Sequence, residues 1–225
     1  MNEEEAELRA EGEPSVPVSI WSRDERPRGV VLLGHGLCAD RTHPTVRVPA
    51  EQLVERGLAV VAPDLPGHGV RRNGARGPDE VAEAWQTYWT SGGPAALRDE
   101  WLRILSFARG RFPNARVGYF GLSLGAQYGV VFLANAPQVA AAVLGLFGAE
   151  PAPRSAIMHA CAPRVCCPVY FVQKQSDELH ARERSDHLFS LLGSAEKVLH
   201  STPGRHGDVT PEEYARACGF LAERL

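Results

Sequence analysis

Apolar runs of strand length recur along the chain at 29–34 (GVVLLG), 58–62 (LAVVA), 117–120 (VGYF), 139–147 (VAAAVLGLF) and 169–172 (VYFV). Continuous runs of this kind predict strands buried on both faces. Residues 16–21 alternate instead, as an edge strand does, and 197–200 read as a last strand. Between the runs, helical stretches are expected at 45–56 (stopped by Gly57), around 80–90, at 95–110, 126–133 and 181–192, and at 211–225. Gly92-Gly93-Pro94 separates two of them. Residues 70–80 read as a Gly/Arg/Pro-rich loop and 149–167 as irregular chain. Strands alternating with helices predict an α/β fold with a mostly parallel sheet covered on both faces.

Size and charge narrow the class. A chain of 225 residues with 44% hydrophobic and 23% charged residues suits one globular domain, here residues 14–225. Six glutamates and one arginine give residues 1–13 a charge of −5, which leaves +2 for the rest of a chain whose net charge is −3. Those thirteen residues are expected as an acidic tail or a short edge strand. Neither part carries the basic excess of a nucleic-acid binder. No apolar run approaches the roughly 18–20 residues that span a membrane. The acidic start is the opposite of a secretory signal's basic opening. Five cysteines without framework spacing fit a reducing, cytoplasmic setting. Basic residues are almost all arginine, with Lys174 and Lys197 the only lysines, a bias that suggests a GC-rich bacterial genome.

The chemistry centres on Gly121-Leu122-Ser123-Leu124-Gly125. The G-x-S-x-G pattern works only between a strand and a helix, where a sharp turn exposes the serine hydroxyl. Both flanks are present here. Glycines at 121 and 125 remove side chains that the turn would bring into collision, and the following helix aims its N-terminus at the site. A serine nucleophile needs a base, and the base needs an orienting group. The run 169–172 leads into Asp177, and the run 197–200 leads into His206, so both fall on loops at the carboxyl edge of the sheet. Ser123 is thus the expected nucleophile, His206 the general base and then acid, and Asp177 the group orienting the imidazole. Glu178 is the rival acid; Asp186, within a helix, and Asp208, after the histidine, fit less well. His200 comes too early in its loop and reads as a solvated or core histidine.

Two N–H donors are expected at the oxyanion, from Leu124 and from Leu37 in the loop Gly34-His35-Gly36-Leu37. With the further loop Asp64-Leu65-Pro66-Gly67-His68-Gly69, the chain resembles the α/β-hydrolase superfamily over residues 29 to about 210. Its short length and small insertions resemble the compact serine esterase, thioesterase and dienelactone-hydrolase-like members. It departs from the true dienelactone hydrolases at the nucleophile, where they carry cysteine and this sequence has Ser123. The resemblance implies hydrolysis of an ester, thioester or lactone of a small to medium organic acid through an acyl-enzyme, with no cofactor. Acyl transfer, C–C bond hydrolysis or cyclisation of a specialised metabolite by the same triad is the alternative, and a non-catalytic ligand-binding protein on the same scaffold a third. Asp64 and His68 are expected to structure their loop.

Clues to substrate are few. Only 70–94 and 149–167 leave room for a cap. Trp85, Tyr88 and Trp89 share a helix face by their spacing and either wall an acyl pocket or anchor the helix. His35, within the oxyanion loop, and Cys38, next to it, are candidate substrate-binding residues; a structural hydrogen-bonding role is the other reading of His35, and a small buried hydrophobe that of Cys38. Arg71, Arg72 and Arg76 either meet an anionic group or are solvated. The expected partner is a small-molecule acyl substrate, not nucleic acid or a membrane, for a monomer or homodimer. No metal site is expected, since the eight histidines lack ligand spacing.

Overall fold

The computed structural model describes residues 2–72, 74, 77–152 and 154–225. An eight-stranded sheet runs in the order β1-β2-β4-β3-β5-β6-β7-β8. The strands are β1 (Asn2–Leu8), β2 (Val16–Ser22), β3 (Gly29–Gly34), β4 (Leu58–Pro63), β5 (Arg116–Gly121), β6 (Ala141–Gly145), β7 (Val169–Lys174) and β8 (Lys197–Thr202). β1 and β2 are antiparallel to their neighbours; β4, β3 and β5 through β8 are parallel. The helices are α1 (Pro44–Glu55), α2 (Pro78–Thr90), α3 (Gly93–Arg111), α4 (Leu124–Leu133), α5 (Ala156–Cys161), α6 (Arg182–Leu191) and α7 (Pro211–Ala222).

The apolar runs are buried on both faces because the sheet divides two cores. Val30, Leu32, Tyr119 and Phe171 point to the side of α3, α4 and α6, while Val31, Leu33, Phe120 and Val172 point to the side of α1 and α7. Alternate residues of one strand thus serve opposite cores. Among the described residues no helix is long and apolar enough to cross a membrane.

Residues 2–8 take the strand alternative rather than the tail. Ala6 and Leu8 pack against the α3 side, and Glu4 on that face pairs with Arg111. On the other face Glu3 pairs with Arg47 and Glu5 with Arg41. The apolar run at 139–147 gives a shorter strand than its length suggests, because Gly145 (φ +148°) and Leu146 (φ +50°) turn the backbone out of the sheet. The stretch at 149–167 is less irregular than its composition implies, for it holds α5.

Because β3 through β8 run parallel, the segments after β3, β4, β5, β7 and β8 emerge at one edge of the sheet. All the candidate polar residues lie on these segments.

Candidate active site

The turn between β5 and α4 is shaped by what its residues cannot carry. A Cβ on Gly121 would lie 2.4 Å from the Gly125 carbonyl oxygen, and one on Gly125 would lie 2.4 Å from that of Gly34. Beneath them the buried Tyr119 donates its hydroxyl to the Gly125 carbonyl at 2.6 Å. Ser123 sits at the tip with φ 56° and ψ −120°, a strained backbone for a residue with a side chain.

Three side chains from three segments form a hydrogen-bonded row. His206 Nε2 lies 3.0 Å from Ser123 Oγ, and His206 Nδ1 lies 2.8 Å from Asp177 Oδ2. The Asp177 carboxylate is 2% exposed, and its other oxygen accepts the N–H groups of Leu179 and His180 at 2.8 and 2.9 Å. With Asp177 accepting at Nδ1–H, the imidazole presents its Nε2 lone pair to the serine hydroxyl. Glu178 is occupied elsewhere. It accepts the His206 backbone N–H at 3.0 Å and pairs with Arg205. Asp186 accepts from Gln173 and Asp208 from the Arg205 N–H, both away from the ring. His200 stacks on Tyr170. The His180 ring is 5.7 Å from that of His206, and burial lowers its pKa.

The loop after β3 is fixed through His35. Its ring is 2% exposed; Nε2 accepts the Leu65 N–H at 3.0 Å, so Nδ1 carries the proton and donates to the Gly36 carbonyl at 2.7 Å. Burial drives its pKa from 6.5 down to about 3. Asp64, fully buried, holds the same loop from behind by accepting the Arg41 N–H at 3.0 Å, the Arg41 guanidinium at 2.6 Å and the Val70 N–H at 3.0 Å. His68, also buried, bonds the Pro66 carbonyl. Among the described residues the backbone N–H groups of Leu37 and Leu124 have no acceptor within the protein.

A cleft of about 390 Å³ opens onto Ser123 and His206. Leu37, Cys38 and Leu122 line it, together with Leu146, Val209 and Tyr214. Leu37 and Leu179 stand at its rim, 37% and 61% exposed. Sequence reasoning did not find Leu179, Val209 or Tyr214; the first lies two residues after Asp177, a position that could have flagged it.

Several expected contacts are not brought to the cleft. The Arg71 guanidinium forms a two-pronged pair with Glu100 at 2.8 Å and also donates to the Asp64 carbonyl, so it is a structural tie rather than a substrate contact. Trp85 and Trp89 pack on the core, Trp89 stacked on Tyr128 at 6.0 Å, because α2 turns this face toward α3 and α4. The His35 ring borders the cleft, but both its nitrogens are committed to backbone. Cys38 does line it, with φ +64° and burial raising its thiol pKa. Arg72 donates to the Cys38 carbonyl, and Arg76 lies outside the described residues. No described residue of 70–94 or 149–167, the expected cap segments, lines the cleft.

Residues 26–201 match the sequence profile of the dienelactone hydrolase family. The chain belongs to that family. Among solved structures this hydrolase is similar to a cold-adapted esterase from an Arctic intertidal metagenomic library, with 32% identity, 99% of this chain and 94% of that one covered, and a TM-score of 0.87. It shares the fold of a dienelactone hydrolase from Anabaena variabilis (20% identity, 99% and 96% covered, TM-score 0.73). The same holds for Est1E from Butyrivibrio proteoclasticus, solved with ferulic acid bound (15% identity, 97% and 98% covered, TM-score 0.74). No curated protein matches the chain. The family and fold agree with the resemblance drawn from the sequence motifs.

Proposed function

We propose that this hydrolase cleaves an uncharged ester, thioester or lactone of a small to medium organic acid by way of an acyl-serine. The observation that carries the reading is the row Ser123 Oγ, His206 Nε2, His206 Nδ1 and Asp177 Oδ2, with links of 3.0 and 2.8 Å. In the proposed first step His206 Nε2 takes the Ser123 proton as Oγ attacks the carbonyl carbon. Asp177 holds the ring in the tautomer this requires and stabilises the imidazolium. The N–H groups of Leu124 and Leu37 receive the developing oxyanion, each donor of this kind being worth roughly 10²–10³ in rate. The imidazolium then protonates the leaving alkoxide or thiolate. Water, deprotonated by His206, releases the acid; from a lactone the leaving group remains on the acyl chain.

The lining of the cleft supports an uncharged substrate. Among the described residues no Arg, Lys, Asp or Glu lines it. A carboxylate buried there would lack a counter-ion, at a cost of several kcal/mol.

A fluorophosphonate probe followed by peptide mapping tests the reading. The expected adduct is on Ser123, absent from Ser123→Ala and strongly slowed in His206→Ala. Turnover of uncharged esters by folded Ser123→Ala at the wild-type rate would refute it.

A further inference from the structure

The loops bearing Asp177 and His206 start side by side. The Gln175 N–H donates to the Thr202 carbonyl at 2.9 Å and the Ser176 N–H to that of Gly204 at 3.0 Å. Beneath this seam lies a buried ion pair, Lys174 with Glu213, 2% and 7% exposed. Lys174 ends β7, and Glu213 lies in the first turn of α7. Lys174 Nζ donates to both Glu213 carboxylate oxygens at 2.8 and 2.7 Å and to the Pro203 carbonyl at 3.3 Å. The Glu213 carboxylate also accepts from the Thr202 hydroxyl and from the Thr210 N–H, the latter at 2.7 Å. Thr202 and Thr210 bracket the loop that carries His206, so one carboxylate closes both of its ends. At Gly204 (φ +118°) a Cβ would lie only 3.1 Å from Asp208 Cβ, so the chain there turns tightly over the amine.

Two features separate this arrangement from ordinary packing. Neither Lys174 nor Glu213 lines the cleft or touches Ser123, His206 or Asp177 through a hydrogen bond, so neither acts on substrate. Nor is a buried ion pair a stability device by default, because apolar replacements of similar volume are often neutral or stabilising. What an apolar pair cannot do is hold the Pro203 carbonyl, the Thr202 hydroxyl and the Thr210 N–H in fixed positions.

We infer that Lys174 and Glu213 are positioning residues that set His206 against Asp177 and Ser123. The inference rests on the serine-hydrolase reading of the site. Displacing the histidine loop by about 1 Å reduces the rate by about 10².

The test compares wild type with Lys174→Met/Glu213→Leu and, separately, with Thr202→Val, which keeps the ion pair and removes one tie. The assays are ester turnover, fluorophosphonate labelling and thermal unfolding. In the double variant the expected result is a Tm equal to or above wild type, KM within about twofold, and kcat and labelling rate down by roughly 10–100-fold. Thr202→Val is expected to show a smaller fall in kcat, with KM again within about twofold. A folded double variant with wild-type kcat overturns the inference. So does a fall in kcat that tracks lost stability and comes with an equal rise in KM, and so does an unchanged Thr202→Val should the double variant fail to fold. Wild-type protein that takes no label at Ser123 overturns the hydrolase reading instead.

Discussion

The neutral, buried His35 makes the molecule sensitive to acid in a calculable way. Its ring bonds backbone on both sides and its pKa falls from 6.5 to about 3, chiefly through burial. Above pH 6.5 the ring is neutral in both the folded and unfolded chain and contributes no pH dependence. Below it the unfolded chain takes up a proton that the folded ring refuses, so stability falls with pH until about pH 3 is reached. The slope is about 1.4 kcal/mol per pH unit, and by about pH 4.5 the loss amounts to about 2.7 kcal/mol. His68, 5.1 Å away and also depressed by burial, adds a loss of the same sign, so wild type alone does not isolate His35. The perturbation that does is His35→Gln, whose amide oxygen replaces Nε2 as acceptor for the Leu65 N–H. Urea unfolding followed by tryptophan fluorescence between about pH 7.5 and 4.5 gives the two stability curves. Whatever the substitution costs at neutral pH, the gap between the curves is expected to close by about 2.7 kcal/mol at the acid end. Curves that stay parallel within about 0.5 kcal/mol would refute the reasoning, because His35 would then be titrating alike in both states.

Two further outcomes are expected. In Gly125→Ala the new methyl would lie 2.4 Å from the Gly34 carbonyl and 3.2 Å from that of His35, forcing α4 away from the oxyanion loop; a stability loss of about 1–3 kcal/mol with a large fall in kcat is expected, and an unchanged Tm would count against it. Leu179 forms an apolar lip, 61% exposed, so across a series of acyl esters each methylene that reaches it is expected to raise kcat/KM by up to about fourfold (about 0.8 kcal/mol), and Leu179→Ser to flatten that dependence while leaving acetate esters unaffected; an equal loss on every ester would oppose the assignment.

Much of the frame was legible because it obeys local rules. The apolar runs are strands since a parallel sheet covered on both sides needs apolar residues at every position. The glycines at 121 and 125 mark a turn that only glycine permits. The order of Ser123, Asp177 and His206 along the chain, each just past a strand, was enough to bring them to one edge. What failed were inferences about free side chains. The spacing of Trp85 and Trp89 gave a shared face, but only the fold says that the face meets Tyr128. Arg71 looked available for an anion because its partner, Glu100, lies on another helix 29 residues on. The cleft wall was equally hidden: Leu179, Val209 and Tyr214 come from two loops and a helix, and no short-range pattern joins them.

The acidic first strand has a consequence for how the molecule meets its own copies. An edge strand offers unpaired N–H and C=O groups to any passing chain. At β1 that edge carries Glu3, Glu4, Glu5 and Glu7, and a second molecule adding a strand there would crowd carboxylate against carboxylate on both faces. The opposite edge, β8, exposes Val198 and Leu199. Resistance to aggregation is therefore unequal at the two ends of the sheet, strong where the chain begins and weak beside the loop that carries His206.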